Sequence, residues 1–342
     1  MSVREAIDRA VRGEEVPEEL LQAAFAEIMQ GQTPDAAIAG LLVALRTKGE
    51  TVGELVAVAR ALREAAVTAP CLDPRTVDTC GTGGDGAQTF NISTTAAFVV
   101  AGAGVPVAKH GNRAASSKTG SIDVLEALGV VVDLPVEVSA RLLAEVGIAH
   151  FFARRAHPAM RFVAPVRQAL GIRTLMNCMG PLLNPLGVRH QVIGVFAADL
   201  VWRLAEALRE LGTHHALVVH GSDGLDEIPL YGETRAAHVR DGQIERSTID
   251  PASLGFAEPA PGALRGGDAA ENAEILRAVL SGEPGPRRDV VLLNAAAALW
   301  VAGAAGDLAG GVELARTSID SGAASEKLAR LVEASKRAES PA

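Results

Sequence analysis

The sequence predicts an α/β protein in which a small, all-helical N-terminal domain precedes a larger domain with a mainly parallel sheet. Two observations predict this fold class. Residues 1–70 show only helical patterns, whereas short apolar runs alternate with helical stretches from residue 71 onward. The 342 residues are enough for two such domains, which we place at residues 1–70 and 71–342.

Three helix starts are visible in the first domain. Residues 16–19 (VPEE) open one helix, with a proline in its first turn and acidic residues near its N-terminus. Residues 33–35 (TPD) open another, and Thr51 with Glu54 forms a capping-box pattern ahead of a third. Residues 37–45 are nearly all apolar, so we expect that helix to be buried on most sides.

In the larger domain, strands and helices are predicted in alternation. Strands are predicted over residues 76–79, 105–108, 148–152, 191–196 and 216–220, and helices over residues 94–103, 122–128 (capped by Ser121), 136–146 and 200–211. Residues 235–249 predict a β-hairpin that turns at residues 241–242, and the last hundred residues return to helices. This alternation favours parallel strands joined by crossover helices.

Composition and charge exclude several classes of protein. The net charge of −9 argues against a broad nucleic-acid surface. The three cysteines, Cys71, Cys80 and Cys178, form no C-x-x-C pair, which argues against a disulfide framework or a zinc site. The apolar run 290–306 contains Asn294, alanines and glycines, so it predicts a buried helix rather than a membrane span. Since the N-terminus also lacks a signal-peptide core, we expect a cytoplasmic protein.

A glycine-rich segment follows the first predicted strand. Four glycines lie within residues 81–86, and glycines let the backbone approach a phosphate with its N–H groups exposed. Residues 91–95 (NISTT) then open an apolar helix, whose N-terminus is a second anion site. Two adjacent anion sites predict a ligand with two separated phosphate groups, and a tight turn followed by an ordinary N-cap is the alternative.

The same segment also matches the dinucleotide-binding fingerprint, with glycines at positions 81, 83 and 86. Two features disfavour that function. The helix begins several residues after the loop, and Lys109 follows the second strand where an acidic residue would hold a ribose.

Two further polar loops follow predicted strands and leave the sheet at the same edge. Residues 109–118 supply cations, an imidazole, an amide and hydroxyls, which suit a phosphate ligand, and a solvated polar loop is the alternative. Residues 220–227 end in Asp226 and Glu227, whose adjacent carboxylates could face Mg²⁺. An acidic turn explains that pair equally well.

One arginine could hold a carboxylate. On a helix, Arg167 would present a guanidinium able to make two hydrogen bonds to one carboxylate. Taken alone, Arg167 is more often a surface residue and His157 more often a structural one. The turn-rich residues 177–185 could wall a pocket.

Together these segments resemble the anthranilate phosphoribosyltransferases. The matching stretches lie in the family's order, cover most of the chain and are residues 80–85 (CGTGGD), 91–94 (NIST), 109–113 (KHGNR), 120–129 (GSIDVLEALG), 177–185 (NCMGPLLNP), 223–227 (DGLDE) and 266–272 (GGDAAEN). The departures leave every charged position intact and are Met176, Cys178, Leu183 and Pro229.

The resemblance implies a fold of the nucleoside phosphorylase and phosphoribosyltransferase type, with the active site in the cleft between the two domains. A helical segment near residues 165–187 would join the first domain. Members transfer the phosphoribosyl group of 5-phosphoribosyl 1-pyrophosphate (PRPP) to the amine of anthranilate in tryptophan biosynthesis. The resemblance further implies Mg²⁺ as cofactor and a homodimer joined through the helical domain.

The resemblance also assigns site residues by position. PRPP would contact the glycine-rich loop and the helix start, at Gly81, Gly84, Asp85, Thr89, Asn91, Ile92, Ser93 and Thr94. A second group would close over PRPP, namely Lys109, His110, Gly111, Asn112, Arg113, Ala114, Ala115, Ser116, Ser117 and Ser121. Anthranilate would contact Gly81, Asn112 and Arg167, with His110 and His157 lining its path, and Mg²⁺ would be held by Ser93, Asp226 and Glu227. No covalent catalyst is implied, so Lys109 and Arg167 would act through charge and position.

Two rival functions stay open at this point. A pyrimidine nucleoside phosphorylase has a similar fold, but it would use phosphate and a nucleoside and would not need the Asp226–Glu227 pair. A non-catalytic relative that binds nucleic acid is disfavoured by the negative charge of the chain.

Overall fold

The fold was determined as a computed structural model, which describes residues 2–114 and 119–339. It begins with four helices, α1 (Ser2–Val11), α2 (Glu18–Met29), α3 (Asp35–Lys48) and α4 (Val52–Glu64). Helix α1 packs on α2 and α3, and α2 packs on α4. The predicted capping box is present, because Thr51 Oγ1 accepts from the Glu54 N–H and the Glu54 carboxylate accepts from the Thr51 N–H. Pro17 precedes α2 rather than lying in its first turn.

Helix α3 is buried on most sides over residues 37–45. Leu41, Leu42 and Leu45 are fully buried, but Val43 on another face is 36% exposed. The expectation of burial on most sides is therefore confirmed, and Val43 is the one exposed residue within 37–45.

A seven-stranded sheet lies at the centre of the larger part of the chain. Its strands are β1 (Val77–Gly81), β2 (Val107–Gly111), β3 (Ile148–Phe152), β4 (His190–Gly194), β5 (His215–Gly221), β6 (Thr234–Arg240) and β7 (Gln243–Ile249). Their order is β3-β2-β1-β4-β5-β6-β7. The first five are parallel, whereas β6 and β7 form the predicted hairpin and pair antiparallel at the edge. The predicted fold class is confirmed.

Helices connect and cover these strands. They are α5 (Ile92–Gly102), α6 (Ser121–Ala127), α7 (Val136–Val146), α8 (Ala153–Ala156), α9 (Ala164–Leu170), α10 (Met176–Met179), α11 (Leu200–Glu210), α12 (Ala269–Leu280), α13 (Pro286–Val301), α14 (Leu308–Asp320) and α15 (Ala323–Glu339). Short 3₁₀ turns lie at Pro158–Phe162, Gly180–Leu182 and Pro251–Leu254. No helix in the described ranges combines the length and apolar character that a membrane crossing requires.

Three predicted boundaries were displaced near the loops. Helix α5 begins at Ile92, so Ser93 lies in its first turn. Strand β2 continues to Gly111 because its pairing with β3 continues, which places Lys109 inside the strand rather than after it. Ser121 is the first residue of α6 and not its cap. The carboxylate of Asp123 instead accepts from the Gly120 N–H at 2.9 Å.

Apolar residues cover the sheet on both faces, as a mainly parallel sheet requires. Along β5, Leu217 and Val219 pack with the core that contains α5 and α13. Ala216 and Val218 face the other way, into the core shared with α1–α4 and α11. Val166 of α9 packs in this second core. The domain boundary at residues 70–71 and the joining segment near 165–187 stay predictions.

Candidate active site

A cavity of about 1080 Å³ lies at the carboxyl ends of β1 and β2, between these strands and the segment that contains α9 and α10. The described residues that the sequence assigned to the site all line it, namely Gly81, Gly84, Asp85, Thr89, Asn91, Ile92, Ser93, Thr94, Lys109, His110, Gly111, Asn112, Arg113, Ala114, Ser121, His157, Arg167, Asp226 and Glu227. Three assigned residues, Ala115, Ser116 and Ser117, lie outside the described residues. Residues far apart in the chain thus meet in one space.

Sequence reasoning missed part of the lining. Gln88, Phe152, Met160 and Met179 also face the cavity. Phe152, Met160 and Met179 are apolar, and nothing in the sequence distinguishes an apolar residue of a pocket wall from one of the hydrophobic core. Gln88 has a φ of 54°, and this strain is visible only in the structure.

The glycine-rich loop interlocks with the acidic pair. Gly83, Gly84 and Gly86 have φ values of 67°, 79° and 76°, a left-handed conformation that favours glycine. The Gly83 N–H donates to Asp226 Oδ2 at 2.7 Å. A Cβ on Gly81 would lie 2.2 Å from the same oxygen. The Gly83 amide of the loop is therefore already held by a carboxylate, and glycine at position 81 leaves room for Asp226.

The start of α5 also meets this pair. The Ser93 N–H donates to Glu227 Oε1 at 3.1 Å, so a carboxylate already occupies the predicted anion site. Asn91 stands at the cap position, but its side chain does not cap the helix. Its amide instead donates to the Thr119 carbonyl at 3.4 Å and its Oδ1 accepts from Asn272 at 3.0 Å.

Lys109 is a buried cation beneath the site, 2% exposed. Its Nζ donates to the Thr79 carbonyl and, at 3.2 Å, to Ser93 Oγ. Burial raises the pKa of Glu227 to about 7 and that of Asp78 to about 6, and in both cases the nearby Lys109 charge opposes the rise. The Lys109 ammonium group thus stabilises the charged forms of two buried carboxyl groups, those of Asp78 and Glu227.

Asp226 has the strongest need for a further cation. Burial raises its pKa well above the usual range, and the neighbouring charges of Glu227 and Asp85 raise it further. Ser93, Asp85 and the acidic pair offer only oxygen donors, which suit Mg²⁺. Within the described ranges, no three His, Cys, Asp or Glu side chains are grouped to hold a metal by themselves. Since Mg²⁺ commonly uses one or two carboxylates and completes its shell with substrate phosphates and water, the residues fit this ion.

A guanidinium without a counter-ion lies on the other side of the cavity. Arg167 on α9 is half-buried, and burial lowers its pKa. Among the described residues, none forms a hydrogen bond or ion pair with its guanidinium, and only its main chain is bonded, to Val163 and Gly171. A half-buried, unpaired guanidinium that faces a cavity is suited to a ligand carboxylate, which it can hold by two parallel hydrogen bonds.

Two histidines form an uncharged wall near Arg167. The rings of His110 and His157 are 5.2 Å apart and edge-on. Burial lowers the pKa of His110 to about 3 and also lowers that of His157, so both are neutral at pH 7. His110 Nδ1 lies 3.1 Å from the Gly180 carbonyl, and its buried Nε2 has no partner among the described residues. With Nδ1 as the donor, Nε2 carries a lone pair.

The guanidinium of Arg113 is engaged elsewhere. It donates to both carboxylate oxygens of Glu126 at 2.6 and 2.7 Å and to Asp123 at 3.0 Å. Its assignment to PRPP stays a prediction, since binding would require this pair to open. Of the four departures from the family pattern, Met176 and Leu183 line the cavity.

Comparisons with known proteins agree over nearly the whole chain. The family description "Glycosyl transferase family, a/b domain" matches residues 73–325, and "Glycosyl transferase family, helical bundle domain" matches residues 4–66. The anthranilate phosphoribosyltransferase of Desulforudis audaxviator is 51% identical over 98% of this chain and 97% of that protein. The anthranilate phosphoribosyltransferase of Chloroflexus aggregans is 53% identical over 98% of this chain and 99% of that protein. The chain belongs to the anthranilate phosphoribosyltransferase family.

Solved structures of anthranilate phosphoribosyltransferases share the complete fold. The Thermus thermophilus enzyme superposes with a TM-score of 0.92 at 44% identity, over 97% of this chain and 99% of that chain. The Saccharomyces cerevisiae enzyme in complex with PRPP and Mg gives a TM-score of 0.90 at 26% identity, over 98% of both chains.

Proposed function

We infer that this chain transfers the phosphoribosyl group of PRPP to the amine of anthranilate, giving N-(5-phosphoribosyl)anthranilate and pyrophosphate in tryptophan biosynthesis. One observation carries the inference beyond family membership. A single cavity combines a glycine-rich anion loop, the Asp226–Glu227 pair and the unpaired guanidinium of Arg167. The first two suit a pyrophosphate with its metal, and the third suits a carboxylate acceptor.

The donor side neutralises the leaving group. As the bond between ribose C1 and the pyrophosphate oxygen breaks, positive charge develops on the ribose and negative charge on pyrophosphate. We propose that Asp226 and Glu227, with Ser93 Oγ, hold Mg²⁺, which offsets the pyrophosphate charge when bound. We propose that the N–H groups of residues 84–86 add fixed dipoles at the same place, whereas the Gly83 N–H is held by Asp226. Lys109 holds the Ser93 hydroxyl in position.

The acceptor side orients the nucleophile. We propose that Arg167 holds the anthranilate carboxylate, so that the amine in the ortho position faces ribose C1. The amine is neutral at pH 7 and attacks with its own lone pair, and it loses a proton after the C–N bond has formed. Orientation of this kind can lower the barrier by several kcal/mol. The neutral wall of His110 and His157 adds no cation that would compete with Arg167 for the carboxylate.

The proposed reaction is tested by pyrophosphate release. Release should require anthranilate, PRPP and Mg²⁺ together, and excess chelator should stop it. The protein should not split a pyrimidine nucleoside with inorganic phosphate, which is the reaction of the rival class. Phosphate-dependent nucleoside cleavage without any PRPP-dependent release would overturn the proposal.

We also propose a homodimer joined through the helical domain. Val11 at the end of α1 is 72% exposed and Val43 on α3 is 36% exposed, so this domain presents apolar side chains to its surroundings. We further propose a cytoplasmic location, with small-molecule substrates and no nucleic-acid partner. Its support is that Cys71, Cys80 and Cys178 are all free thiols, as in proteins of reducing compartments.

A further inference from the structure

Helix α13 carries one buried polar side chain that the proposed reaction does not use. Asn294 is 3% exposed, and its neighbours Leu293 and Ala295 are fully buried and apolar. A buried amide is costly unless its hydrogen-bonding groups are paired. The partners of Asn294 therefore indicate why an amide stands in an otherwise apolar stretch.

Asn294 binds both main-chain groups of one residue. Its Oδ1 accepts from the Ile228 N–H at 3.0 Å, and its Nδ2 donates to the Ile228 carbonyl at 2.8 Å. The second Nδ2 hydrogen is directed to the Val290 carbonyl of its own helix, at 2.9 Å. Ile228 is fully buried and directly follows Glu227. The amide thus fixes the backbone immediately after the acidic pair.

The end of strand β4 supports the Asp226–Glu227 pair on the side away from Asn294. A Cβ on Gly194, at the end of β4, would lie 1.5 Å from the Asp226 carbonyl oxygen. The main chain of Asp226 therefore rests directly on the sheet, with no side chain between them. The acidic pair is thus held between the end of β4 and Asn294. In this position Asp226 Oδ2 accepts from the Gly83 N–H at 2.7 Å, and Glu227 Oε1 accepts from the Ser93 N–H at 3.1 Å.

We propose that Asn294 is a positioning residue for the Asp226–Glu227 pair, which it holds in the orientation that binds Mg²⁺ in the presence of PRPP. Asn294 lies in the core and is absent from the cavity lining, so it acts only through the backbone of Ile228. The inference rests on the proposed function, because it assigns the acidic pair to the metal.

The test replaces Asn294 by leucine, which has the same branching and the same number of side-chain heavy atoms and suits the apolar helix, but cannot form hydrogen bonds to Ile228. Asn294→Ala is the second variant, to be used if the Asn294→Leu protein does not fold. Ser318→Ala is the matched control, since Ser318 is also buried and its side chain also donates to a main-chain carbonyl, from Oγ to the Val99 oxygen at 2.7 Å. Thermal unfolding selects variants that fold.

Two measurements are made on each folded variant. Mn²⁺ binding in the presence of PRPP, followed by electron paramagnetic resonance, should weaken by about 10-fold or more in the Asn294 variants. Amide hydrogen exchange of the peptide that contains residues 225–228, in the metal-free protein, should become faster. Ser318→Ala should change neither, although it loses a buried hydrogen bond of the same kind.

Wild-type Mn²⁺ affinity and wild-type exchange in a folded Asn294 variant would overturn the inference. An equal loss of affinity in Ser318→Ala would also overturn it, because the effect would then be general destabilisation. A wild-type protein without Mg²⁺-dependent transfer would instead overturn the proposed function, and the exchange measurement on metal-free protein would still test the clamp.

Discussion

The acceptor half of the site depends on one guanidinium, that of Arg167. Its half-buried charge has no counter-ion among the described residues. A carboxylate held by two charge-assisted hydrogen bonds is worth about 1.5–3 kcal/mol per bond to a charged group. Loss of this contact should therefore affect the acceptor far more than the donor.

Arg167→Ala should raise KM for anthranilate by about 10- to 100-fold and leave KM for PRPP nearly unchanged. The KM of Arg167→Lys for anthranilate should lie between those of the wild type and Arg167→Ala, because lysine keeps the charge but loses the planar guanidinium. Steady-state kinetics with each substrate varied in turn gives both constants. Equal increases in both KM values would show that Arg167 does not select the acceptor.

The residue scale also shows where sequence reasoning ends. The types and approximate places of Lys109, Asp226 and Glu227 follow from the sequence pattern. Their interaction does not, because Lys109 reaches Ser93 only once β2 extends past its predicted end. Arg113 was assigned to PRPP, but its pairing with Glu126 depends on where α6 packs. A sequence pattern gives residue types, whereas three-dimensional packing decides which charges remain unpaired.

At the scale of elements, the end of β4 supports the acidic pair without contributing a side chain. Gly194 was not singled out by the sequence, since one glycine at a strand end is an ordinary feature. Its importance appears only from the 1.5 Å separation that a Cβ would have from the Asp226 carbonyl oxygen. That oxygen belongs to the backbone and cannot turn away as a flexible side chain would.

Gly194→Ala should reduce Mg²⁺-dependent transfer by about 100-fold or more, because the main chain that carries Asp226 must move. The measurement is kcat over a Mg²⁺ titration, with thermal unfolding to establish that the variant folds. Gly306→Ala is the matched control, since a Cβ there meets no heavy atom within 4 Å and its φ is not left-handed. Transfer at the wild-type rate in Gly194→Ala would contradict the described position of the pair.

A histidine cluster joins β5, β6 and α13 near the amino end of β5, away from the carboxyl strand ends that line the cavity. His215 Nε2 lies 2.5 Å from His238 Nε2, and the His238 ring lies 4.5 Å from that of Trp300. Burial and then the neighbouring His238 lower the pKa of His215 to about 4. The short contact requires one ring to donate and the other to accept, so both rings cannot be protonated together.

The free energy of unfolding should therefore fall as the pH falls. Below the ordinary histidine pKa of about 6.5, the unfolded chain binds a proton at position 215, whereas the folded chain resists it down to about pH 4. Asp78 and Glu227 have raised pKa values and act in the opposite direction. A variant is needed to isolate the histidine contribution.

The comparison is urea unfolding of each protein at about pH 7.5 and at about pH 5. The decrease in the midpoint between these conditions should be smaller in His215→Gln than in the wild type. An equal decrease in both proteins would show that His215 does not contribute to the pH dependence.

At the scale of the whole molecule, the N-terminal helices and the α/β part were both predictable, because apolar residues recur with a different spacing in each. The helical pattern of the first residues and the strand–helix alternation after residue 71 identify the architecture. The order of the strands was not predicted, since it depends on which edges pair after the chain has folded. The placement of α9 against the N-terminal helices is also a long-range contact with no local signal.

The proposed homodimer makes a prediction at this scale. Sedimentation equilibrium should give twice the mass of one chain, and Val43→Asp should shift the protein toward the monomer, because it places a charge on the exposed face of α3. Leu314→Asp on α14, outside the helical domain, serves as the control, because Leu314 is 37% exposed. A wild-type monomer at micromolar concentration would contradict the proposed assembly.

The most direct test of the assigned reaction follows the fluorescence of anthranilate. Protein is mixed with anthranilate, PRPP and Mg²⁺, and Arg167→Ala is measured beside the wild type. We expect a Mg²⁺-dependent loss of the anthranilate signal that is strongly reduced in the variant at low anthranilate concentration. An unchanged signal from folded wild-type protein that still binds PRPP would contradict anthranilate as the acceptor and would leave only the donor side of the site correctly assigned.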